Sequence, residues 1–258
     1  MKPPQPILRL ERIVFSYTKA EPVLRDVSLS LTTGALTAIL GPNGGGKTTL
    51  LHLLLGWLQP QAGVLHLNDR PLSAFSHRER SRLIGLVPQS EHIPFEFTLL
   101  DYVLLGRAPH LGPLELPGAP DLAAARQAIQ RVGLNELISR PLTHMSGGER
   151  QLATIARALT QQPAVLLLDE PTSHLDLANR RRVRDVLRQL VSDGITVICT
   201  THDPALAAGM ADAIVLMRAG EVVAAGPTET TLTSEKLSAT YGLSVRARRI
   251  DNDWLITS

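Results

Sequence analysis

The chain has 258 residues, 44% of them apolar and 19% charged, and 26 Lys and Arg against 24 Asp and Glu give a formal net charge of +2. That size and hydrophobicity suffice for a full core and exclude a disordered tail. The near-neutral balance argues against a dedicated nucleic-acid binder, and one cysteine, Cys199, excludes an intramolecular disulfide framework and fits a reducing compartment.

The N-terminal MKPPQP lacks the apolar segment of a secretory signal. Ile7–Phe15 (ILRLERIVF) alternates apolar and polar residues through Glu11, which predicts a half-buried strand, and Val27, Leu29 and Leu31 alternate with serines in a second. Ala35–Leu40 (ALTAIL) is a continuous apolar run ending at Gly41, which predicts a strand buried on both faces. A helix is expected from Lys47. The most apolar stretch, Leu50–Leu58, is far shorter than the roughly 20 residues that span a bilayer, so a membrane role has to come through a partner. Ala108–Pro120, with four prolines and two glycines, reads as a loop or boundary. Asp121 is expected to N-cap the helix LAAARQAIQRV, with Gly133 just past its end. Ala164–Leu168 and Ile195–Thr200 predict two more buried strands, separated by a helix over Leu177–Leu190. A closing hairpin is expected around Ile214–Leu216 and Val222–Val223. Strands alternating with helices predict an α/β domain with a mostly parallel sheet, whose ligands bind at the C-terminal ends of the strands.

Gly41-Pro42-Asn43-Gly44-Gly45-Gly46-Lys47-Thr48 fits GxxxxGK[ST] in full, after a predicted strand and opening a predicted helix. Glycines let backbone N–H groups close around phosphate oxygens, and the helix N-terminus adds positive potential. Lys47 is suited to the β- and γ-phosphates and the Thr48 hydroxyl to Mg2+. A tight glycine turn with an incidental lysine is the other reading, and the strand-before, helix-after setting speaks against it. In Ala164–Glu170 (AVLLLDE) an apolar strand ends in two acids: Asp169 to help hold Mg2+ and Glu170 to polarise an attacking water, or simply a turn before Pro171. His202 ends the next buried strand, either as an ordinary structural histidine or as a contact to the γ-phosphate. Asp203-Pro204 suits the N-cap and first position of a following helix.

Ser146-Gly147-Gly148-Glu149 precedes a periodic apolar run, and Ser with Glu three residues later is the capping-box pattern. A cap does not need two glycines. Gly147 and Gly148 bare the N-terminal amides, which makes a second anion-binding helix end in one chain. Two copies paired head to tail, each supplying half of a composite site, account for both.

These residues carry a family resemblance over nearly the whole chain. It resembles the nucleotide-binding subunit of an ATP-binding cassette (ABC) transporter. GPNGGGKT is similar to the Walker A loop, VLLLDE to the Walker B strand with catalytic Glu170, and MSGGERQ to the signature motif, with Met145 where Leu is more usual. Val87-Pro-Gln89 resembles the Q-loop, Ser173-His-Leu-Asp176 the D-loop with His174 where Ala is common, and His202 the switch histidine. Tyr17 stands where the family stacks an aromatic on adenine; a buried strand aromatic is the alternative. The resemblance implies a P-loop NTPase (RecA-like) core over 1–90 and 161–258, an N-terminal antiparallel β subdomain, and an inserted helical subdomain over 91–160 that carries the signature motif. It implies that Gly41 to Thr49 and Tyr17 bind ATP, with Lys47, Gln89, Glu170 and His202 catalytic and Thr48, Gln89 and Asp169 around Mg2+. Ser146 to Glu149 would then act across a homodimer, beside the D-loop Asp176.

Phe95-Glu-Phe-Thr98 and Asp101 to Gly112, with the short tail at Tyr241-Gly-Leu-Ser-Val245, resemble importers of iron chelates, haem and cobalamin. That likeness implies two transmembrane permease subunits, a solute-binding protein reached indirectly, a place on the cytoplasmic face of the cell membrane, and no nucleic-acid partner. The alternatives are a zinc or manganese importer, whose text here is related, and a soluble ABC protein outside transport. A P-loop kinase would leave Ser146–Glu149 unexplained. Asn179–Arg184 (NRRRVR) reads as a solvated helix face or a meeting point for an acidic surface.

Overall fold

The structure, a computed structural model, describes residues 6–18, 21–91, 95–173, 175–251 and 253–257. Its contacts divide the chain into two units, Met1–Ser76 with Thr196–Ser258, and His77–Ile195.

In the first unit the two alternating segments pair. Pro6–Phe15 lies antiparallel between Leu24–Thr32 and Ala62–Leu67, and the short Arg70–Pro71 strand flanks the latter. Leu8 opposes Leu31 and Leu10 opposes Leu29, which gathers these leucines into the core. The alternation breaks at Arg12, whose φ of 52° marks an irregularity, and pairing resumes with Ile13 opposite Val27. The Leu36–Leu40 strand is buried at every position, as a strand covered on both faces must be, and it has a parallel neighbour on each edge, Thr196–Thr201 and Ala213–Arg218. Ala213–Arg218 turns back antiparallel into Glu221–Pro227, the expected hairpin. A second hairpin joins Arg246–Ile250 to Asp253–Thr257. Cys199 is fully buried in the Thr196–Thr201 strand, and burial pushes its thiol up to about 12.

In the second unit Ile84–Val87 runs parallel to Val165–Leu168. The helices Leu99–Leu104, Ala119–Arg131 and Gly147–Thr160 pack on one another through Leu99, Val103, Ile129, Leu152 and Ile155, all fully buried. Leu177–Ser192 runs past its expected end at Leu190. The α/β class with a mostly parallel sheet and a separate antiparallel sheet is the one the sequence predicts.

Two local expectations are corrected. Asp121 is not the N-cap: Gly118 takes that place, and Asp121, at the third helical position, accepts the Gly118 N–H at 2.9 Å. Pro120 needs no N–H partner and has a helical φ, so the helix begins ahead of the aspartate. The expected loop over 108–120 begins inside the 3-10 helix Leu105–His110. That turn is pinned by the nearly buried Arg107, which pairs with Asp121 at 2.8 Å and donates to the Thr160 carbonyl at 2.9 Å. The same Arg107 holds the Asp121 carboxyl below its usual range. Gly133 does end the helix, with φ 70° and the Leu134 N–H reaching back to the Ile129 carbonyl at 3.1 Å.

Among the described residues no helix is long and apolar enough to cross a membrane.

Candidate functional site

The glycine loop leads from the Leu36–Leu40 strand into the Lys47–Leu54 helix. Gly46 is the N-cap at φ 95°, and no side chain caps the turn. A Cβ at Gly46 would stand 2.8 Å from Leu24 Cδ2, so the tight approach also needs glycine. A glycine N-cap brings no side chain of its own to the first turn, an arrangement that suits an anion. Lys47 is only 6% exposed, and its Nζ donates to the Gly41 and Pro42 carbonyls at 2.8 and 3.0 Å. Thr48 is exposed, while Thr49 is buried with its hydroxyl 3.2 Å from Tyr17 Oη. The Tyr17 ring is 59% exposed, edge-on to Phe15 with centroids 5.0 Å apart, and not a buried strand aromatic.

His202 follows the Thr196–Thr201 strand and is exposed. Asp203 caps the next short helix as expected, accepting the Ala205 and Leu206 N–H groups at 3.0 and 3.1 Å. The Tyr241 hydroxyl, pushed up to about 12 chiefly by burial and further by Asp203, donates to the His202 carbonyl at 3.2 Å. This tail tyrosine therefore anchors the turn that carries His202, a role the sequence did not reveal.

In the second unit the Asp169 N–H bonds the Val87 carbonyl at 2.9 Å at the end of the Val165–Leu168 strand. Glu170 takes φ 44°, a left-handed conformation that costs a non-glycine residue about 1 kcal/mol or more. Ser173 holds it there, donating from N–H and Oγ to the Glu170 carbonyl at 3.1 and 2.9 Å. Gln89 Nε2 lies 3.5 Å from Glu170 Oε2, a long contact that brings these two predicted residues together.

Ser146 caps the Gly147–Thr160 helix as the sequence predicts. Its Oγ accepts the Glu149 N–H at 3.3 Å, and Glu149 Oε2 accepts the Ser146 N–H at 2.7 Å. The Ser146 backbone N–H holds the Glu149 carboxyl below its usual range. Gly147 faces open space, whereas a Cβ on Gly148 would stand 2.1 Å from Asn179 Oδ1. Gly148 is buried, and its lack of a Cβ makes room for the Asn179 amide. Asp176 caps the Leu177–Ser192 helix, with Oδ1 accepting the Asn179 N–H at 2.8 Å and Oδ2 accepting Asn179 Nδ2 at 3.1 Å. Asn179, which the sequence did not single out, thus adjoins both Asp176 and Gly148. His174 lies outside the described residues. Arginines of the basic stretch bond within the chain: Arg180 to the Leu175 carbonyl, Arg182 to that of Gly133, and Arg184 to Asp185.

A family model described as ABC transporter matches residues 24–173. The chain belongs to this family. It is 39% identical to the hemin import ATP-binding protein HmuV of Hahella chejuensis, over 87% of this chain and 88% of that one. It is 34% identical to the chelated iron transport system membrane protein YfeB of Yersinia pestis, over 96% of this chain and 86% of the relative. An inward-facing metal-chelate type ABC transporter among solved structures matches with a TM-score of 0.85 at 35% identity, covering 98% of this chain and 96% of that one. As an ABC ATPase, the chain binds and hydrolyses ATP.

Among the described residues no group of three or more His, Cys, Asp or Glu could hold a metal ion. Mg2+ in an ABC ATPase needs none, because it takes one or two carboxylates, a hydroxyl, waters and the substrate's own phosphate oxygens. The exposed Thr48 hydroxyl and the Asp169 carboxylate at a strand end are hard oxygen donors of that kind.

Proposed function

We propose that this chain is the subunit whose ATP hydrolysis energises an importer of iron chelates, haem or cobalamin. It sits on the cytoplasmic face of the membrane through two permease subunits, which a solute-binding protein supplies. Identities of 34–39% to proteins named for chelated-iron and hemin transport, over most of each chain, support the cargo class. The observation that carries the chemistry is the glycine N-cap of the Lys47–Leu54 helix, with the Lys47 ammonium folded back onto the Gly41 and Pro42 carbonyls of the same loop.

In this reading residues 41–49 wrap the phosphates through backbone N–H groups, Tyr17 stacks on the base, and Lys47 exchanges its carbonyl partners for the β- and γ-phosphates. Thr48, Gln89 and Asp169 would hold Mg2+, which would supply charge neutralisation at the phosphates. Glu170 accepts the proton of the attacking water and His202 contacts the γ-phosphate. Residues 91–160 form the helical subdomain that carries the signature motif. Two copies enclose two ATP molecules, each copy offering Ser146, Gly147 and Gly148 to the other's nucleotide, with Glu149 organising that turn and Asp176 beside it.

The test is purification of the tagged full chain from membranes. Recovery of two integral membrane subunits, with turnover that rises when the loaded solute-binding protein is added, is the expected result. Recovery of the chain with no membrane subunit would overturn the transport reading.

A further inference from the structure

We propose that Glu91 is a positioning residue that fastens the loop carrying Gln89 to the helix that begins after Ser146. The inference rests on the assignment of Gln89 and Glu170 to ATP hydrolysis. Glu91 follows Gln89 by two residues, in the segment that leaves the Ile84–Val87 strand. Both of its carboxylate oxygens are engaged: Oε1 accepts from Arg157 Nη1 at 2.8 Å and Oε2 from the Tyr102 hydroxyl at 2.5 Å. Tyr102 is 1% exposed, and its hydroxyl also lies 3.3 Å from Thr154 Oγ1. The Arg157 guanidinium sits 5.1 Å from the Tyr102 ring centroid, which closes the cluster. Thr154 and Arg157 both belong to the Gly147–Thr160 helix.

Shielding makes this grip stronger than an ordinary surface pair. The Arg157 and Glu91 side chains are 24% and 27% exposed, and charge-assisted hydrogen bonds gain as water is excluded. A second connection runs through the backbone. The helix that carries Tyr102 donates from Leu99 and Leu100 to the carbonyls of Arg140 and Ile138, at 2.9 and 3.1 Å, just ahead of Ser146. Glu91 thus holds both helices at once. A two-residue tether spans at most about 7 Å, so fixing Glu91 limits how far Gln89 can swing on the segment that leaves Val87, and with it the long contact to Glu170.

The experiment measures ATP turnover with Mg2+, binding of a fluorescent ATP analogue, and thermal unfolding on the full chain. Glu91→Ala is expected to lower kcat about tenfold while nucleotide Kd stays within about twofold. Glu91→Gln, which keeps an acceptor for Tyr102, should recover most of the loss. Glu91→Ala combined with Gln89→Ala should turn over no more slowly than Gln89→Ala alone, because Glu91 acts through Gln89. An unchanged kcat in Glu91→Ala, a matching loss of nucleotide affinity, or a fully additive loss in the double variant would each overturn the proposal. If Glu91→Ala fails to fold, Tyr102→Phe replaces it: it removes one hydroxyl and should cost kcat about threefold at unchanged Kd, and no loss of kcat counts against Glu91. Glu170→Gln is measured in parallel. Turnover surviving in that variant refutes the hydrolytic assignment itself, whatever the Glu91 variants do.

Discussion

The helices Lys47–Leu54 and Gly147–Thr160 both begin at glycines, and their first turns are furnished in opposite ways. At Lys47–Leu54 the N-cap is Gly46 in the left-handed region, which brings no side chain of its own to the turn. At Gly147–Thr160 the N-cap is Ser146, and Ser146 and Glu149 exchange hydrogen bonds that satisfy two of the orphan donors. The first turn is stable only as far as backbone packing holds it and is ready for an anion. The second is complete in itself, so an anion arriving there meets a finished cap with one open residue, Gly147. A glycine at a helix start therefore has two meanings: vacancy for a ligand, or room for a neighbour such as Asn179.

The largest effect should come from the uncapped turn. Lys47→Ala is expected to reduce ATP turnover by about 100-fold or more and to weaken nucleotide binding, as measured by steady-state hydrolysis and analogue binding. Turnover near the parent level would mean that this turn does not handle the phosphates. Next comes the capped turn: Ser146→Arg should leave ATP binding by a single chain within about threefold yet abolish ATP-dependent dimerisation in light scattering. Unchanged dimerisation would break the division of labour. Gly148→Ala sharpens the comparison further, because its methyl group meets Asn179, and unfolding should come about 1–3 kcal/mol more easily. The corresponding change at Gly147, which faces open space, should be neutral or gain up to about 1 kcal/mol.

The smallest effect is electrostatic. The Glu149 carboxyl is held low in the folded chain, so its cap contributes stability at neutral pH and loses it as pH falls through the carboxylate range. Glu149→Gln should melt about 1–3 °C lower than the parent near pH 7, with the gap closing below about pH 4. A gap that widens in acid would reverse that assignment.

The sequence revealed what depends on near neighbours. Leu36–Leu40 and Val165–Leu168 are legible because a strand covered on both faces is apolar at nearly every position, and the glycine loop because its spacing has one evident use. The box at Ser146 is written within four residues. Asp121 misled because aspartate ranks high as an N-cap, yet the preceding Ala-Pro pair already begins the helix. Glu91 gave no signal at all: its partner Arg157 stands 66 positions away, and only the packed fold makes them neighbours. Asn179 is hidden for the same reason, and Tyr241 could be noticed but not connected with His202.

The sealed thiol of Cys199 has a practical corollary. With almost no thiolate at neutral pH and no surface to attack, it is inert toward maleimides while the chain is folded. A cysteine at an exposed position outside both glycine turns, such as Glu221→Cys, would then create the sole labelling handle in an otherwise native sequence. Dyes on two such copies would report, in single-molecule traces, whether added ATP draws the copies together as the proposed pairing requires.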